Sequence, residues 1–215
     1  MFLALAAGLA AQVPQLVVPI GHTGIVTAAA FSPDGQQVLT GSWDGTAKLW
    51  DLRGREIKTF SGHTSGVSSV AFSANGQQVL TASFDNTVKL WSLSGGEPLT
   101  FKHTSHVNSA AFSPDGKTVL TGSGDGIARL WNVSGGAPKT LSGHDSEITS
   151  VAFSPDGQKV LTGSFDKTAK LWDLSGGAPQ TFSGHFSVVS SVAFSPDGQK
   201  VLTGSWDGAD RKSVV

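Results

Sequence analysis

A histidine recurs at His22, His63, His103, His144 and His185, and a phenylalanine at Phe31, Phe72, Phe112, Phe153 and Phe194, both at intervals of 40 to 41 residues. Self-similarity at such a period marks an array of one supersecondary unit; a single unit cannot bury its apolar face alone, so the units must stack. The stretch from His144 to Trp172 shows most of the unit, and Val151 to Ser164 returns unchanged as Val192 to Ser205.

Each unit reads as four strands. In the first repeat these are Ile25 to Ser32, Gln36 to Trp43, Thr46 to Leu52 and Glu56 to Phe60, joined by Pro33-Asp34-Gly35, Asp44-Gly45 and Arg53-Gly54-Arg55. Short strands joined by turns whose glycines accept a positive φ predict a four-stranded antiparallel meander. Asn86 and Lys167 stand where other repeats have the turn glycine; asparagine tolerates left-handed φ, whereas lysine adopts it at a cost. Charged residues are only 14% of the chain, which suits such an all-β array. With no cysteine there is neither a disulfide nor a thiolate ligand or nucleophile.

The layout expected is residues 1–11, residues 12–208 and residues 209–215. The first is apolar and ends in small residues, resembling a secretory signal without its basic start; the alternative is a disordered or packed terminus. Export follows from the first reading and a cytoplasmic location from the second. Residues 13–20 read as an edge strand with two prolines. Within 12–208 the repeats run over about 21–61, 62–101, 102–142, 143–183 and 184–208. In 209–215, Ala209-Asp210-Arg211-Lys212-Ser213-Val214-Val215 departs from the third strand that Thr168 to Leu174 exemplifies.

Gly21-His22 at the start of a repeat, with Trp50-Asp51 and Trp172-Asp173, softened to Trp91-Ser92 and Trp131-Asn132, resembles the WD-repeat β-propeller family from residue 21 to about 208. The resemblance implies an all-β propeller of four complete blades and a partial fifth. That is either an incomplete array or a five-bladed ring closed by a strand near Leu16-Val17-Val18. It also implies a buried hydrogen-bond network in each blade: Trp50, Ser42, His22 and Asp44; Trp91, Ser83, His63 and Asp85; Trp131, Ser123, His103 and Asp125; Trp172, Ser164, His144 and Asp166. The fifth set has Ser205, His185 and Asp207 without a tryptophan.

Ser, His and Asp in this order invite a hydrolase reading, but a catalytic set is needed once, and this one recurs in every repeat. No catalytic residue is assigned and no enzyme activity is expected. Gly122-Ser123-Gly124-Asp125-Gly126 aligns with the hairpin turns and leads into a strand, so it is no phosphate cradle. His103-x-x-His106 lacks a third ligand; no metal and no cofactor are expected.

Function is expected where repeats differ. Three residues after each histidine the chain reads Ile25, Gly66, His106, Glu147 and Val188; just before each network aspartate it reads Trp43, Phe84, Gly124, Phe165 and Trp206. The aromatics either pack between blades, on the strand face shared with Leu39, Leu80, Leu161 and Leu202, or form a rim at the channel mouth with Ile25, His106, Glu147 and Val188. The first is favoured, and His106 and Glu147 are expected to be solvated. The function expected is a non-enzymatic scaffold that binds proteins or peptides on that face. The alternatives are a regulatory or sensor module of a larger multi-domain protein, or a truncated, non-functional fragment. Formal charge is −1 and basic residues are dispersed, so no nucleic acid is expected; no apolar run is long enough to span a bilayer. Unclosed blade edges leave self-association open.

Overall fold

The computed structural model describes residues 21–208 together with the backbone of residues 210–214. They form five successive antiparallel sheets, the blades of a β-propeller. Blade 1 is β1 (Val26–Phe31), β2 (Gln37–Ser42), β3 (Ala47–Asp51) and β4 (Glu56–Phe60), and blade 2 is β5 (Val67–Phe72), β6 (Gln78–Ser83), β7 (Thr87–Ser92) and β8 (Leu99–Lys102). Blade 3 is β9 (Val107–Phe112), β10 (Thr118–Ser123), β11 (Ile127–Asn132) and β12 (Lys139–Ser142). Blade 4 is β13 (Ile148–Phe153), β14 (Lys159–Ser164), β15 (Ala169–Asp173) and β16 (Gln180–Phe182), and blade 5 is β17 (Val189–Phe194), β18 (Lys200–Ser205) and β19 (Asp210–Val214). Strands pair in chain order within each sheet.

The turn between the first two strands shows how local chemistry builds the meander. Gly35 N donates to Ser32 O at 2.8 Å with Gly35 at φ 68°, while Ser32 Oγ accepts from Gln37 N at 2.9 Å and donates to Asp34 Oδ1 at 2.6 Å. These contacts hold the reversal from both sides. The second hairpin turn needs the left-handed region too, and Lys167 enters it at φ 70° and Asn86 at φ 68°.

Blades stack through four apolar cores. Between blades 1 and 2, Leu39 and Leu49 meet Val67 and Val70 of β5, with Phe60 of β4 against Trp91, ring centroids 5.5 Å apart. The glycine of β2 makes the approach possible: a Cβ on Gly41 would lie 2.6 Å from Val67 Cγ1 and 2.8 Å from Val70 Cγ1. Gly163 meets Val189 and Val192 in the same way. In each first strand a register shift falls at Thr27, Ser68, Asn108, Thr149 or Ser190. Such a bulge re-aims a side chain, and here the first four reach the next blade: Thr27 Oγ1 to Val67 O, Ser68 Oγ to Val107 O, Asn108 Nδ2 to Ile148 O and Thr149 Oγ1 to Val189 O.

Residues 210–214, off the third-strand pattern in sequence, run antiparallel beside β18, Gly204 pairing with Asp210 and Lys200 with Val214. A backbone ladder does not require the consensus side chains. What changes is the residue placed: Ser213 sits opposite Val201, where Trp50 sits opposite Val38. The suggested signal segment, the edge strand at 13–20 and the closing strand near Leu16 lie outside the described residues.

Candidate functional site

Two arrangements compete for the role of functional site, the repeated polar network and the variable blade ends. In blade 1, Trp50 Nε1 donates to Thr40 Oγ1 at 2.8 Å, Thr40 Oγ1 lies 2.8 Å from His22 Nε2, and His22 Nδ1 lies 2.9 Å from Asp44 Oδ2. The expected serine is not in the relay. Thr40, Thr81, Thr121 and Thr162 take its place beside Trp50, Trp91, Trp131 and Trp172, and Thr203 takes it beside His185 in blade 5.

The reason is reach. Trp50 pairs with Val38, so Thr40 is the next same-face residue and Ser42 is one step further, at about 3.3 Å of rise per residue. Ser42, Ser83, Ser123, Ser164 and Ser205 instead hold the turn: Ser164 Oγ accepts from Asp166 N at 3.1 Å and donates to Ser146 O at 3.1 Å. The same contacts recur at Ser83 and Ser205. The signal was a threonine ten residues before each of the four network tryptophans.

Proton directions follow from chemistry. An indole N–H only donates and an ionised carboxylate only accepts, so the hydroxyl donates to a neutral imidazole that donates from Nδ1. Burial alone pushes the Asp44, Asp85 and Asp166 carboxyls up, but hydrogen bonds from the neighbouring threonine and histidine outweigh it and hold them below the usual range. Burial lowers the His63 and His144 imidazoles despite the adjacent carboxylates. Blades 2, 4 and 5 repeat the His–Asp contact at 2.8, 2.7 and 3.0 Å.

Blade 3 breaks the relay. Ile127 stands where Thr46, Thr87 and Thr168 donate to the aspartate, and Arg129, in the place of Lys48, Lys89 and Lys170, takes Asp125 with NH2 at 2.6 Å and NH1 at 3.1 Å. Thr104 and Ser123 donate to the same carboxylate. His103 Nδ1 is left buried without a partner, and burial together with the Arg129 charge lowers its pKa to about 4. Sequence reading missed Arg129, whose coincidence with the loss of the threonine was the available signal.

The two variable columns lie together. The carbonyls of Ile25, Gly66, His106, Glu147 and Val188 accept from the amides of Trp43, Phe84, Gly124, Phe165 and Trp206 at 2.8–3.1 Å. Two of these pairs set a glycine against a large residue, Gly66 with Phe84 and Gly124 with His106. Gly66 leaves room for Trp43 Cδ1 3.1 Å from a Cβ built upon it, and a Cβ on Gly124 would lie 2.5 Å from His106 Cε1.

Inter-blade burial, the favoured expectation for the aromatics, is corrected. Trp43 is 58% exposed and Trp206 68%, while Leu39, Leu80 and Leu161 are fully buried. Phe84 and Phe165 are also exposed. Two of the rings touch the next blade from the strand ends: Phe84 lies tilted 5.9 Å from His106, and Phe165 meets Trp206 edge-on at 5.7 Å. His106 and Glu147 are not simply solvated either. Both are half-buried, with His106 Nε2 3.2 Å from Glu147 Oε2. Ile25 is exposed and Val188 half-buried. Among the described residues no three His, Asp or Glu side chains group as a metal site, and no helix is long and apolar enough to cross a membrane.

Comparison with known proteins matches each repeat separately. A 38-residue segment is 50% identical to the "Target of rapamycin complex subunit wat1" of Schizosaccharomyces pombe, covering 18% of this chain and 12% of that protein. A 33-residue segment is 54% identical to the "Small ribosomal subunit protein RACK1" of Neurospora crassa, covering 15% and 10%, and 41 residues are 49% identical to "Ribosome assembly protein 4" of Saccharomyces cerevisiae, covering 19% and 8%. Each match thus spans about a tenth of the relative. The family model "WD domain, G-beta repeat" matches five times, at residues 14–51, 54–92, 96–132, 135–173 and 176–209. With a repeated threonine relay, five sheets and five matches over most of its length, the chain belongs to the WD domain, G-beta repeat family.

Proposed function

We propose that this protein is a non-enzymatic scaffold whose binding surface is the channel-mouth face, where Trp43, Phe84, His106, Glu147, Phe165 and Trp206 follow one another from blade to blade. WD-repeat proteins are generally interaction scaffolds, which supports the class of function. One observation carries the choice of face: the residues that vary most between repeats are hydrogen-bonded to one another at a single end of the blades, with exposed aromatic rings among them. Flat rings held by backbone contacts lose little conformational entropy on binding, and large aromatics dominate interface energetics. The polar network is buried and repeated, so it serves the fold.

The test begins with peptides selected against the intact chain from a display library. Trp43→Ala combined with Trp206→Ala should abolish their binding, while Phe31→Ala, an exposed ring at the opposite end of β1, should leave it unchanged. Glu147→Ala should alter which peptides bind without shifting the melt. Equal peptide binding by the double variant and the parent would refute the choice of face.

A further inference from the structure

We infer that a second copy of this chain docks head to tail on the first, the trailing face of blade 5 receiving the leading face of blade 1. Four internal junctions show what each face is made for. The leading face carries two knobs: Val67 and Val70 on β5, Val107 and Ala110 on β9, Ile148 and Val151 on β13, Val189 and Val192 on β17, all of them buried. The trailing face is a socket of a leucine and a small residue two positions on: Leu39 with Gly41, Leu80 with Ala82, Leu120 with Gly122, Leu161 with Gly163, whose leucines are fully buried.

The same register places Val26 and Ala29 of β1 as knobs and Leu202 with Gly204 of β18 as socket. These are open. Val26 is 42% exposed and Leu202 37%, against 0% at every internal Val or Ile knob of that column and every internal socket leucine, and Ala29 is exposed as well.

Polar keys accompany the apolar ones. Ser69, Ser109 and Ser150 accept through Oγ from the amides of Ala110, Val151 and Val192 in the next blade. At the open end, Ser190 Oγ bonds Gly204 O within its own blade, at 3.3 Å, as Thr27 and Thr149 bond Gly41 O and Gly163 O; those two, like Ser68 and Asn108, reach a carbonyl of the following blade as well. Docked as an internal junction docks, Ser190 meets Val26 O and Ser191 meets the Ala29 amide of the second copy. Both halves of the junction belong to one chain, and that selects a second copy as the occupant. The contact is heterologous, so it propagates to rings or open assemblies instead of stopping at a symmetric dimer.

Knob and socket sizes match internally: the Gly41, Gly122 and Gly163 sockets take Val70, Val151 and Val192, and the Ala82 socket takes Ala110. Gly204 against Ala29 is looser than any of these. Ala29→Val therefore supplies the missing methyls.

Light scattering on the full chain at rising concentration should show masses climbing above 22.1 kDa. Ala29→Arg blocks the knob and Leu202→Arg the socket, so each variant alone should stay at the chain mass. Mixed, they retain one compatible pair of faces and should form a one-to-one complex at twice that mass. Ala29→Val should lower the concentration at which association begins about tenfold, the effect of two buried methyl groups. Both sites are exposed, so a cooperative melt like the parent's verifies that the variants fold. A parent that remains monomeric throughout, as it would if other residues of the chain covered the socket, overturns the inference. So do arginine variants that fail to combine, or an Ala29→Val that associates no more readily than the parent.

Discussion

Replacing Thr162 by valine isolates the relay from everything else in blade 4. Thr162 is fully buried, and its Oγ1 receives Trp172 Nε1 at 2.9 Å and lies 2.7 Å from His144 Nε2. Valine keeps the shape, so no cavity opens and the cost is electrostatic: one buried indole N–H and one buried imidazole nitrogen lose their partners. At about 1–3 kcal/mol for each orphaned group the loss is roughly 2–6 kcal/mol. With a urea slope of about 2–3 kcal/mol per molar, the unfolding midpoint should fall by about 1–2 M. The melt is followed by tryptophan fluorescence, and the indole N–H resonance of Trp172 is followed by NMR in the same samples. In Thr162→Val that resonance should shift and exchange faster with solvent. In Ser164→Ala it should stay in place, because Ser164 bonds only the turn. The relay assignment fails if Thr162→Val moves the midpoint by less than about 0.3 M while Ser164→Ala displaces the Trp172 resonance.

Two further outcomes follow from the irregular positions. His103 has a folded pKa of about 4 against an unfolded value of 6.5, so the unfolded chain takes up the proton first. Stability from this group is complete above about pH 6.5 and is lost as pH falls towards 4, by about 3 kcal/mol in all. NMR titration of His103 reads this directly, and Ile127→Thr with Arg129→Lys, which frees Asp125 to accept from Nδ1, should raise the value. An unchanged titration would show that Arg129 is not the cause. Lys167→Gly relieves a left-handed lysine at φ 70° and should stabilise the fold by about 1 kcal/mol, a rise of about 2–4 °C in the calorimetric melt; a lower melting temperature would mean that the turn tolerates lysine without strain.

Much was legible from the residues alone because the array repeats. A period of 40 to 41 residues, turn glycines at fixed offsets and strand-length apolar runs each reappear in every repeat, so local signals reinforce one another. The histidines and aspartates of the network, and the two variable columns, were found by the same means. The relay hydroxyl was misplaced because Thr40 and Ser42 share one strand face and both recur in every repeat. Only the register of Val38 with Trp50 shows which of them the indole reaches. The third strand of blade 5 reads as off-pattern because its side chains depart from the repeat, while its backbone ladder does not need them.

Blade architecture, the number of repeats and the location of variation were thus set by the chain's own periodicity, which acts through contacts between neighbours in sequence. The pairing of His106 with Glu147, the seizure of Asp125 by Arg129, and the exposure of Trp43 and Trp206 were decided by tertiary structure. Each depends on how far a side chain reaches across a strand or a blade junction, and that distance is fixed by packing rather than by spacing along the chain.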